Sequence, residues 1–241
     1  MDEQTRQPDQ VVIVRDGPVP PALAARVAEL AAASPVPVDV VELERNVGLG
    51  PALDAGLLAC KHDVVARMDA DDISLPHRFA VQMPIIESGV DLLGSGLLEF
   101  GADPADVTGS RTPPTDPDDI KVRARFADPF NHPTVVYRKA IVRAVGGYTD
   151  FALMEDYLLW AKMIVAAPGW RTWPSRWSST ASAPGRTRAG AGSRSCAPRS
   201  RSSVGSARSG SPPAASSCAT CSCGAATGSS PNGSGGWRTD G

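Results

Sequence analysis

One stretch of nine residues, Val64 to Asp72, constrains the fold of this chain more than any other. Apolar residues, with two adjacent valines, run directly into three acids at positions 69, 71 and 72. Such a run predicts a buried central strand whose carboxyl end carries the acids. In an open α/β sheet, that edge is where ligands bind. The stretch therefore predicts an α/β fold with a candidate site at the end of this strand.

The three clustered acids, Asp69, Asp71 and Asp72, admit two interpretations. Adjacent carboxylates repel one another. A divalent cation shared with a bound phosphate removes that repulsion, because Mg²⁺ and Mn²⁺ prefer oxygen ligands. Alternatively, the acids form a solvated turn that caps the following helix, and their spacing does not decide between the two. A calcium loop is disfavoured, since the acids lack the twelve-residue EF-hand spacing.

Strand and helix patterns alternate along the first part of the chain. The buried-strand patterns cover residues 11–14, 36–43, 64–68, 90–100 and 134–137. The helical patterns begin at about residue 21 and after 50, continue over 79–86 and 122–126, and end with 139–145 and 155–165. This alternation predicts a mostly parallel sheet with helices on both faces.

The net charge of −2 conceals two parts of opposite character. Residues 174–241 contain eight Arg and one acid, a net charge of +7, which leaves −9 for residues 1–173. From Pro174 onward there is no Leu, Ile, Phe, Met or Tyr. Such a segment cannot bury enough apolar surface to offset the entropy of ordering it. The composition predicts a folded domain over residues 1–167 and a low-complexity, disordered tail over 168–241.

A shift of reading frame near residue 168 explains the tail better than a natural extension does. The tail also lacks Glu, Gln and Lys, which natural disordered segments are rich in. Codons for Trp170 to Gly190 can be chosen so that the neighbouring frame reads LADLAEPLVEYRVGAGAYARR. Under this hypothesis, Cys218-x-x-Cys221-x-Cys223 is not a zinc site, and no specific nucleic-acid binding is expected from the Arg-Ser tract at 194–208.

The predicted location is cytoplasmic. The chain opens with a polar segment rather than a signal peptide, and no apolar run approaches the ~18 residues of a membrane span. Cys60 is the single cysteine before residue 174, which suits a reducing compartment. These features predict a protein without a transmembrane segment and leave peripheral membrane contact open.

A series of motifs in order resembles those of the family 2 glycosyltransferases, nucleotide-sugar-dependent enzymes of the GT-A fold. The segment from Asn46 to Leu57 resembles the family's NxGLGxALNxGL, with Asp54 where asparagine is usual. The segment from Arg67 to Gln82 resembles RMDADDISLPxRFxxQ. Three later landmarks follow in the family's order: His132-Pro133-Thr134, Gly146-Gly147-Tyr148 and Glu155-Asp156-Tyr157. The resemblance covers about residues 10–167.

The resemblance implies a metal-assisted enzyme, using Mg²⁺ or Mn²⁺, that moves a sugar from a UDP-type nucleotide-sugar donor to a hydroxyl of a glycan, lipid or other acceptor. It implies that Asp71 ligates the metal on the donor diphosphate, with Asp69 near the ribose and the metal. Asp16 resembles the family's base-contacting acid, although a plain Asp-Gly turn explains it nearly as well. The donor-binding set that the resemblance implies is Asp16, Asn46, Gly48, Arg67 and Asp69.

On the acceptor side, Asp156 resembles the catalytic base, with Glu155 beside it, in an inverting single displacement. The alternative is that both acids favour a helix N-terminus, where negative charge is stabilising. His132, Gly147 and Tyr148 mark the acceptor region by the same resemblance, and for His132 a purely structural role is the simplest interpretation.

Two departures from the family pattern limit these expectations. The family's first strand and helix precede the part that is matched here, so we expect a truncated N-terminus, an exposed sheet flank and an incomplete donor pocket. Two alternative functions remain open: an inactive remnant of such an enzyme, and a nucleotidyltransferase, which uses a related fold and releases pyrophosphate.

Overall fold

The computed structural model describes residues 3–151, 153–166, 170–181 and 220–221. Its strands are β1 (Val11–Arg15), β2 (Val38–Glu42), β3 (Val64–Ala66), β4 (Asp72–Ser74), β5 (Leu92–Phe100), β6 (Val107–Arg111), β7 (Val136–Arg138), β8 (Trp170–Ala181) and β9 (Thr220–Cys221). Its helices are α1 (Pro21–Ala33), α2 (Leu49–Ala59), α3 (Arg78–Glu87), α4 (Pro117–Arg123), α5 (Lys139–Ala144) and α6 (Glu155–Ala166), with a 3₁₀ turn at His132–Thr134.

The first sheet is built on β1, whose two faces are both covered. Strands β1 and β2 pair in parallel, with Val11 opposite Val38, and α1 forms the crossover between them. Val12 and Val14 pack in the core cluster that contains Leu53 of α2. The opposite face of β1 packs on Val27 of α1. The predicted α/β arrangement with helices on both faces is confirmed here, because every residue of this strand from 11 to 14 is buried.

The second sheet is mixed. Its strand order is β3-β7-β5-β8-β4, and β6 pairs with β5 outside that path. Strands β5 and β8 run in parallel. The β3–β7, β5–β7, β5–β6 and β4–β8 pairs are antiparallel. The parallel order predicted from the alternation of elements therefore holds for β1–β2 and β5–β8, whereas returning segments add antiparallel strands that the sequence pattern did not indicate, notably β4 and β6.

The acid-bearing strand is shorter and less central than predicted. Strand β3 covers three residues and lies at one end of the strand path described for its sheet. Residues 65–68 are nevertheless buried, as predicted. Arg67 continues the contact beyond the strand, because its backbone N–H donates to the Val135 carbonyl at 2.9 Å. The extended strand geometry ends after Arg67, and Asp69 and Asp71 lie in the loop that follows.

One helix is shorter than predicted, and part of the predicted tail lies in strands. The helix predicted through Val122 and Phe126 ends at Arg123, and both of those side chains are exposed because Ile120 is the residue that α4 buries. Within the tail predicted as disordered from residue 168 to 241, residues 170–181 form β8 and 220–221 form β9. Backbone hydrogen bonds to β5 and β4 form the β8 pairings, and these bonds do not require apolar side chains. The rest of that predicted tail lies outside the described residues.

The glycine pair after α5 behaves as the sequence predicts. Gly146 and Gly147 have φ angles of 92° and 70°, the left-handed region that favours glycine at a helix end. A side chain at Gly147 would also meet the Asp54 carboxylate of α2. This close approach joins the end of α5 to α2 and brings Tyr148 towards the core. None of the helices in the described part of the chain has the length and hydrophobicity needed to cross a bilayer.

Candidate active site

The predicted donor and acceptor residues converge at the N-termini of α2 and α6. A side chain added at Gly50, in the first turn of α2, would lie 3.4 Å from the Glu155 Cβ at the start of α6. The charge of Glu155 in turn interacts with those of Arg67 and Asp69. Glu155 therefore lies near residues that are 86 to 105 positions earlier in the sequence. We call residues 69–72 the acid loop.

Asp16 is buried under the loop that begins α2. Its two carboxylate oxygens accept hydrogen bonds from the Val47 and Gly48 backbone N–H groups, at 2.7 and 3.1 Å. The Asn46 side chain donates to the Asp16 carbonyl oxygen at 3.4 Å. Gly48 has a φ angle of 91°, which lets the loop turn sharply into the helix. These contacts show a structural task for Asp16, and its contact with a nucleobase stays a prediction.

Arg67 and Asp69 form an ion pair that fixes the start of the acid loop. The Arg67 side chain is 1% exposed and that of Asp69 is 20% exposed. Burial alone would lower the pKa of Arg67, but the Asp69 carboxylate, together with the charges of Tyr148 and Asp72, outweighs it, so the pKa is raised. Arg67 therefore stays charged, and one Asp69 oxygen is held in place while the side chain still reaches solvent.

A second buried arginine, Arg78, forms a hydrogen bond with Arg67, two residues before the acid loop. Its guanidinium donates to the Gln82 side chain at 2.9 Å and to the Arg67 carbonyl oxygen at 2.8 Å. Gln82 in turn donates to the Thr134 carbonyl oxygen at 2.8 Å. Burial lowers the pKa of Arg78 to about 9. The sequence showed Arg78 and Gln82 only as motif positions, and the structure gives them the task of joining α3 to the end of β3.

The acid loop can supply at most a partial coordination sphere. Asp71 is exposed and makes no hydrogen bond or ion pair with other described residues. Asp72 is buried at 8% exposure, facing Arg67 and Arg78. Among the described residues, no three His, Cys, Asp or Glu side chains are arranged to hold a metal ion. Two accessible carboxylates suit a cation whose other ligands come from substrate phosphates.

His132 connects two of the other predicted residues. Its Nδ1 lies 3.3 Å from Asp156 Oδ2, and its Nε2 lies 3.2 Å from the Tyr148 hydroxyl. With the Nδ1 proton directed at the carboxylate, Nε2 accepts from the tyrosine hydroxyl. The Trp160 ring closes this group, with its centroid 5.7 Å from that of His132. The structure therefore brings His132, Tyr148 and Asp156 together, and Gly147 adjoins them through Tyr148.

Asp128 belongs to this group, although the sequence analysis missed it. Burial, together with the charge of the neighbouring Asp156 carboxylate, raises the pKa of Asp128 to about 8. The Phe130 backbone N–H donates to Asp128 Oδ1 at 2.9 Å. The sequence Asp128-Pro129 predicts an ordinary turn. Its position four residues before His132 was therefore the single clue in the sequence that Asp128 could belong to the site. We call Asp128 and Asp156 the acid pair.

Glu155 lies between the acid loop and the acid pair. Its side chain is largely buried, with a relative exposure of 7% for the residue. Burial raises its pKa, with a further contribution from the Asp156 charge. Glu155 therefore connects the acid loop with the acid pair.

A cleft of about 70 Å³ lies elsewhere in the molecule. It is bounded by the N-terminal segment, including Arg6 and Gln10, and by Cys60, Phe79 and Met83. None of its lining residues belongs to the predicted donor or acceptor sets. We therefore assign the site by its side-chain chemistry rather than by this cleft.

Comparison with known proteins gives independent information on the family of the chain. Residues 2–145 match the family model described as glycosyl transferase family 2. The chain is 43% identical over 163 residues to an uncharacterized glycosyltransferase of Haemophilus influenzae, and 42% identical over 162 residues to the amylovoran biosynthesis glycosyltransferase AmsE of Erwinia amylovora. These alignments cover 67% of this chain and 60% of each relative.

A third relative has a name that states both substrates. The chain is 35% identical over 164 residues to the Escherichia coli UDP-Gal:alpha-D-GlcNAc-diphosphoundecaprenol beta-1,3-galactosyltransferase, covering 67% of this chain and 58% of that protein. The chain thus spans about three fifths of the length of the curated relatives that it matches.

Solved structures share the fold at lower sequence identity. Staphylococcus aureus TarS in complex with UDP superposes with a TM-score of 0.57 at 18% identity, covering 76% of this chain and 54% of that chain. The mannosyltransferase PcManGT from Pyrobaculum calidifontis, in complex with GDP-Man and Mn²⁺, gives a TM-score of 0.51 at 18% identity, covering 77% and 51%. The α/β fold is therefore of the GT-A kind that the motifs implied. With more than half of its residues matched to the family model, the chain belongs to glycosyltransferase family 2.

Proposed function

We propose that this chain carries the donor-binding and catalytic part of a glycosyltransferase that moves a sugar from a nucleotide-sugar donor to a hydroxyl acceptor. One observation carries the proposal: Glu155, at the start of α6, interacts electrostatically with the Arg67–Asp69 ion pair and also with its neighbour Asp156. A donor diphosphate on one side and an acceptor hydroxyl on the other would then share one site. The glycosyltransferase names of the relatives support this assignment.

We propose a UDP-type donor, with Asp16, Asn46, Gly48 and Arg67 shaping its pocket and Asp69 near the ribose. Support comes from the UDP bound by the structural neighbour TarS and from the UDP-Gal donor in the name of the Escherichia coli relative.

A divalent cation fits the accessible oxygens of the acid loop. Asp71, with the free oxygen of Asp69, would hold Mg²⁺ or Mn²⁺ together with the donor phosphates. Bound there, the cation would offset the negative charge that develops on the leaving nucleoside diphosphate. The Mn²⁺ in the structural neighbour PcManGT supports this part of the proposal. The ion pair with Arg67 serves the same end by holding Asp69 in one orientation.

Asp156 is the proposed base. Its carboxylate takes the proton of the acceptor hydroxyl, and the acceptor oxygen attacks the anomeric carbon. The bond from that carbon to the diphosphate oxygen breaks, and its electron pair leaves with the nucleoside diphosphate, so that a single displacement inverts the configuration. The Asp156 side chain is 20% exposed, which gives an acceptor access to it. His132 fixes the carboxylate from the buried side, and Glu155 adjoins it.

The acceptor is a hydroxyl of a glycan or of a lipid-linked sugar. The diphosphoundecaprenol-linked acceptor in the name of the Escherichia coli relative favours the lipid-linked class. A cytoplasmic location with peripheral membrane contact fits such an acceptor.

Calorimetric titration with UDP tests the donor side. We expect UDP to bind this chain in the presence of Mn²⁺, and Asp71→Asn to remove the dependence of binding on Mn²⁺. The exposed Asp119 on α4 provides a matched control, because Asp119→Asn changes the same charge away from the site. Unchanged UDP affinity in Asp71→Asn with Mn²⁺ would contradict the metal assignment. Absence of UDP binding altogether would favour an inactive remnant, and pyrophosphate release from a nucleotide substrate would favour a nucleotidyltransferase.

A further inference from the structure

His132 is held between two polar side chains from different elements. The histidine is 6% exposed and Tyr148 is 4% exposed. The imidazole places Nδ1 at 3.3 Å from Asp156 Oδ2 and Nε2 at 3.2 Å from the Tyr148 hydroxyl. A neutral imidazole carries one N–H and one unprotonated nitrogen, and the partners of the two nitrogens decide which of them holds the proton. The contacts of His132 therefore select one tautomer.

The two partners of His132 differ in what they can donate. An ionised carboxylate only accepts hydrogen bonds, whereas a tyrosine hydroxyl both donates and accepts. Asp156 therefore favours the proton on Nδ1, which leaves Nε2 unprotonated, and the Tyr148 hydroxyl can donate to that nitrogen. In the opposite tautomer, the lone pair of Nδ1 would face the carboxylate, and that contact would be repulsive.

The surroundings of the ring disfavour a second proton on it. The Trp160 ring is fully buried and stands at 75° to the imidazole, with 5.7 Å between the centroids. Asp156 attracts a positive charge, whereas the buried Arg67 guanidinium, which interacts electrostatically with the tyrosine, repels it. The pKa values of Asp128 and Glu155 are both raised, so these two acids add less negative charge than fully ionised groups would. A buried imidazolium is therefore costly here.

The backbone fixes both rings. In the 3₁₀ turn that carries the histidine, the Thr134 hydroxyl donates to the Ser95 carbonyl oxygen at 3.1 Å, which ties the turn to β5. Tyr148 follows Gly147, whose N–H donates to the Val142 carbonyl oxygen at 2.9 Å and closes the end of α5. Each ring therefore reaches the other from a backbone that is already held in place.

We propose that Tyr148 is a positioning residue for the base and acts through His132. The hydroxyl donates to Nε2 and keeps the ring proton on Nδ1, which donates it to Asp156 Oδ2 as a hydrogen bond. The Tyr157 backbone N–H donates to the other Asp156 oxygen at 2.7 Å. With both oxygens held, the carboxylate keeps one orientation towards the acceptor hydroxyl whose proton it takes. This proposal rests on the proposed role of Asp156 as the base, and no proton passes along the histidine.

Nitrogen NMR on the whole chain, labelled with ¹⁵N-histidine, tests the tautomer without a donor or an acceptor. The chemical shift of each ring nitrogen shows whether that nitrogen carries a proton. At about pH 7.5, above the usual histidine pKa, we expect His132 to be protonated at Nδ1 and unprotonated at Nε2. The exposed His62 and His77 are internal controls and should show a mixture of tautomers. Tyr148→Phe should move the Nε2 resonance of His132, because the hydrogen bond to that nitrogen is lost.

Kinetics separates positioning from a purely structural role. Tyr148→Phe should lower kcat about tenfold with the KM for the donor unchanged. His132→Asn keeps an N–H for the carboxylate and should retain more activity than His132→Leu. In the His132→Asn background, Tyr148→Phe should have no further effect. Tyr137→Phe is the matched control, since it removes a hydroxyl from a ring that lies 6.2 Å from the same Trp160, and it should change neither kcat nor the His132 spectrum.

Three results would overturn the proposal: a native His132 that is unprotonated at Nδ1, a native His132 that is protonated at both nitrogens, or a Tyr148→Phe variant with the native Nε2 resonance and the native kcat. The native spectrum decides the first two if the variant fails to fold. Since the spectra need no nucleotide, failure of UDP binding would count against the proposed function and leave the tautomer test intact.

Discussion

The acid loop and the acid pair carry buried negative charge in two different ways. At the acid loop, Asp69 is compensated by Arg67, a fully buried cation that Arg78 and Gln82 support from below. At the acid pair, Asp156 is accompanied by another acid and by His132. The first arrangement places a buried positive charge against Asp69, the acid proposed near the metal. The second places a proton within reach, as a group that accepts and releases protons requires.

Under the proposed function, this difference corresponds to separate tasks for the donor side and the acceptor side of one site. The donor side needs a fixed charge, because a diphosphate does not change its charge when it binds. The acceptor side needs a group whose protonation changes during one turnover. Glu155, which interacts with both groups, marks the border between the two sides. The predictions below test whether the two sides respond independently.

The largest expected effect is on catalysis. Asp156→Asn should lower the rate of nucleoside diphosphate release by about 10²–10⁴-fold, the usual contribution of a general base. UDP affinity should remain unchanged, because Asp156 lies on the acceptor side. Steady-state kinetics and calorimetry on the same preparation measure the two quantities. A parallel loss of UDP affinity would show that the two sides are not separate.

The next effect concerns stability at the acid loop. Arg67→Met leaves the largely buried Asp69 carboxylate without its partner and should lower the free energy of unfolding by about 3 kcal/mol. Urea denaturation measures this loss. The matched control is Arg6→Met, which breaks the exposed ion pair with Glu87 and should cost below about 1 kcal/mol. Equal losses in both variants would argue against a special role for the buried pair.

Asp16→Ala tests the loop in front of α2. Two backbone N–H groups would lose their charged acceptor, and a loss of about 2 kcal/mol in unfolding free energy is expected. If UDP affinity falls in proportion to the loss of folded protein, Asp16 acts through the loop. A much larger fall in UDP affinity, measured where the variant is fully folded, would support direct contact with the donor base.

The smallest effect is a pH dependence at the acid pair. Because the folded pKa of Asp128 is raised to about 8 from a normal value of 3.8, its stabilising contribution is complete below about pH 4 and is lost as the pH rises to about 8. Asp128→Asn removes this loss. Its Tm relative to the native chain should therefore rise between pH 5 and pH 8, by several degrees. A constant Tm difference in calorimetric scans would contradict the raised pKa.

The reading-frame hypothesis needs its own measurement. Sequencing the coding DNA across residues 168–241 would show whether the neighbouring frame encodes family-like text. If it does, the kinetic predictions above should be tested on the corrected chain as well. If it does not, the composition of this segment belongs to the protein, and β8 gains importance as part of the second sheet.

The sequence by itself determined the order of the main elements and the position of the acid loop. Apolar periodicity is a local property, so β1, α1, α2, α3, α5 and α6 were predicted close to their observed bounds. The motif around Asp69 and Asp71 was equally local. The left-handed backbone at Gly146 and Gly147 also followed from residue type, because few other residues adopt it easily.

Only the tertiary structure decided which side chains meet. The Asp128–Asp156 contact joins residues 28 positions apart, and no periodic pattern links a turn after α4 to the start of α6. The burial of Arg78 is similar: an arginine in the first turn of a helix is usually solvated, and here its N–H groups donate to the carbonyl oxygens of Arg67, just after β3, and of Val135, just before β7. Short strands such as β4 depend on backbone partners far along the chain. Local sequence specifies conformation, whereas pairing, burial and proton affinity depend on neighbours that only the folded chain supplies.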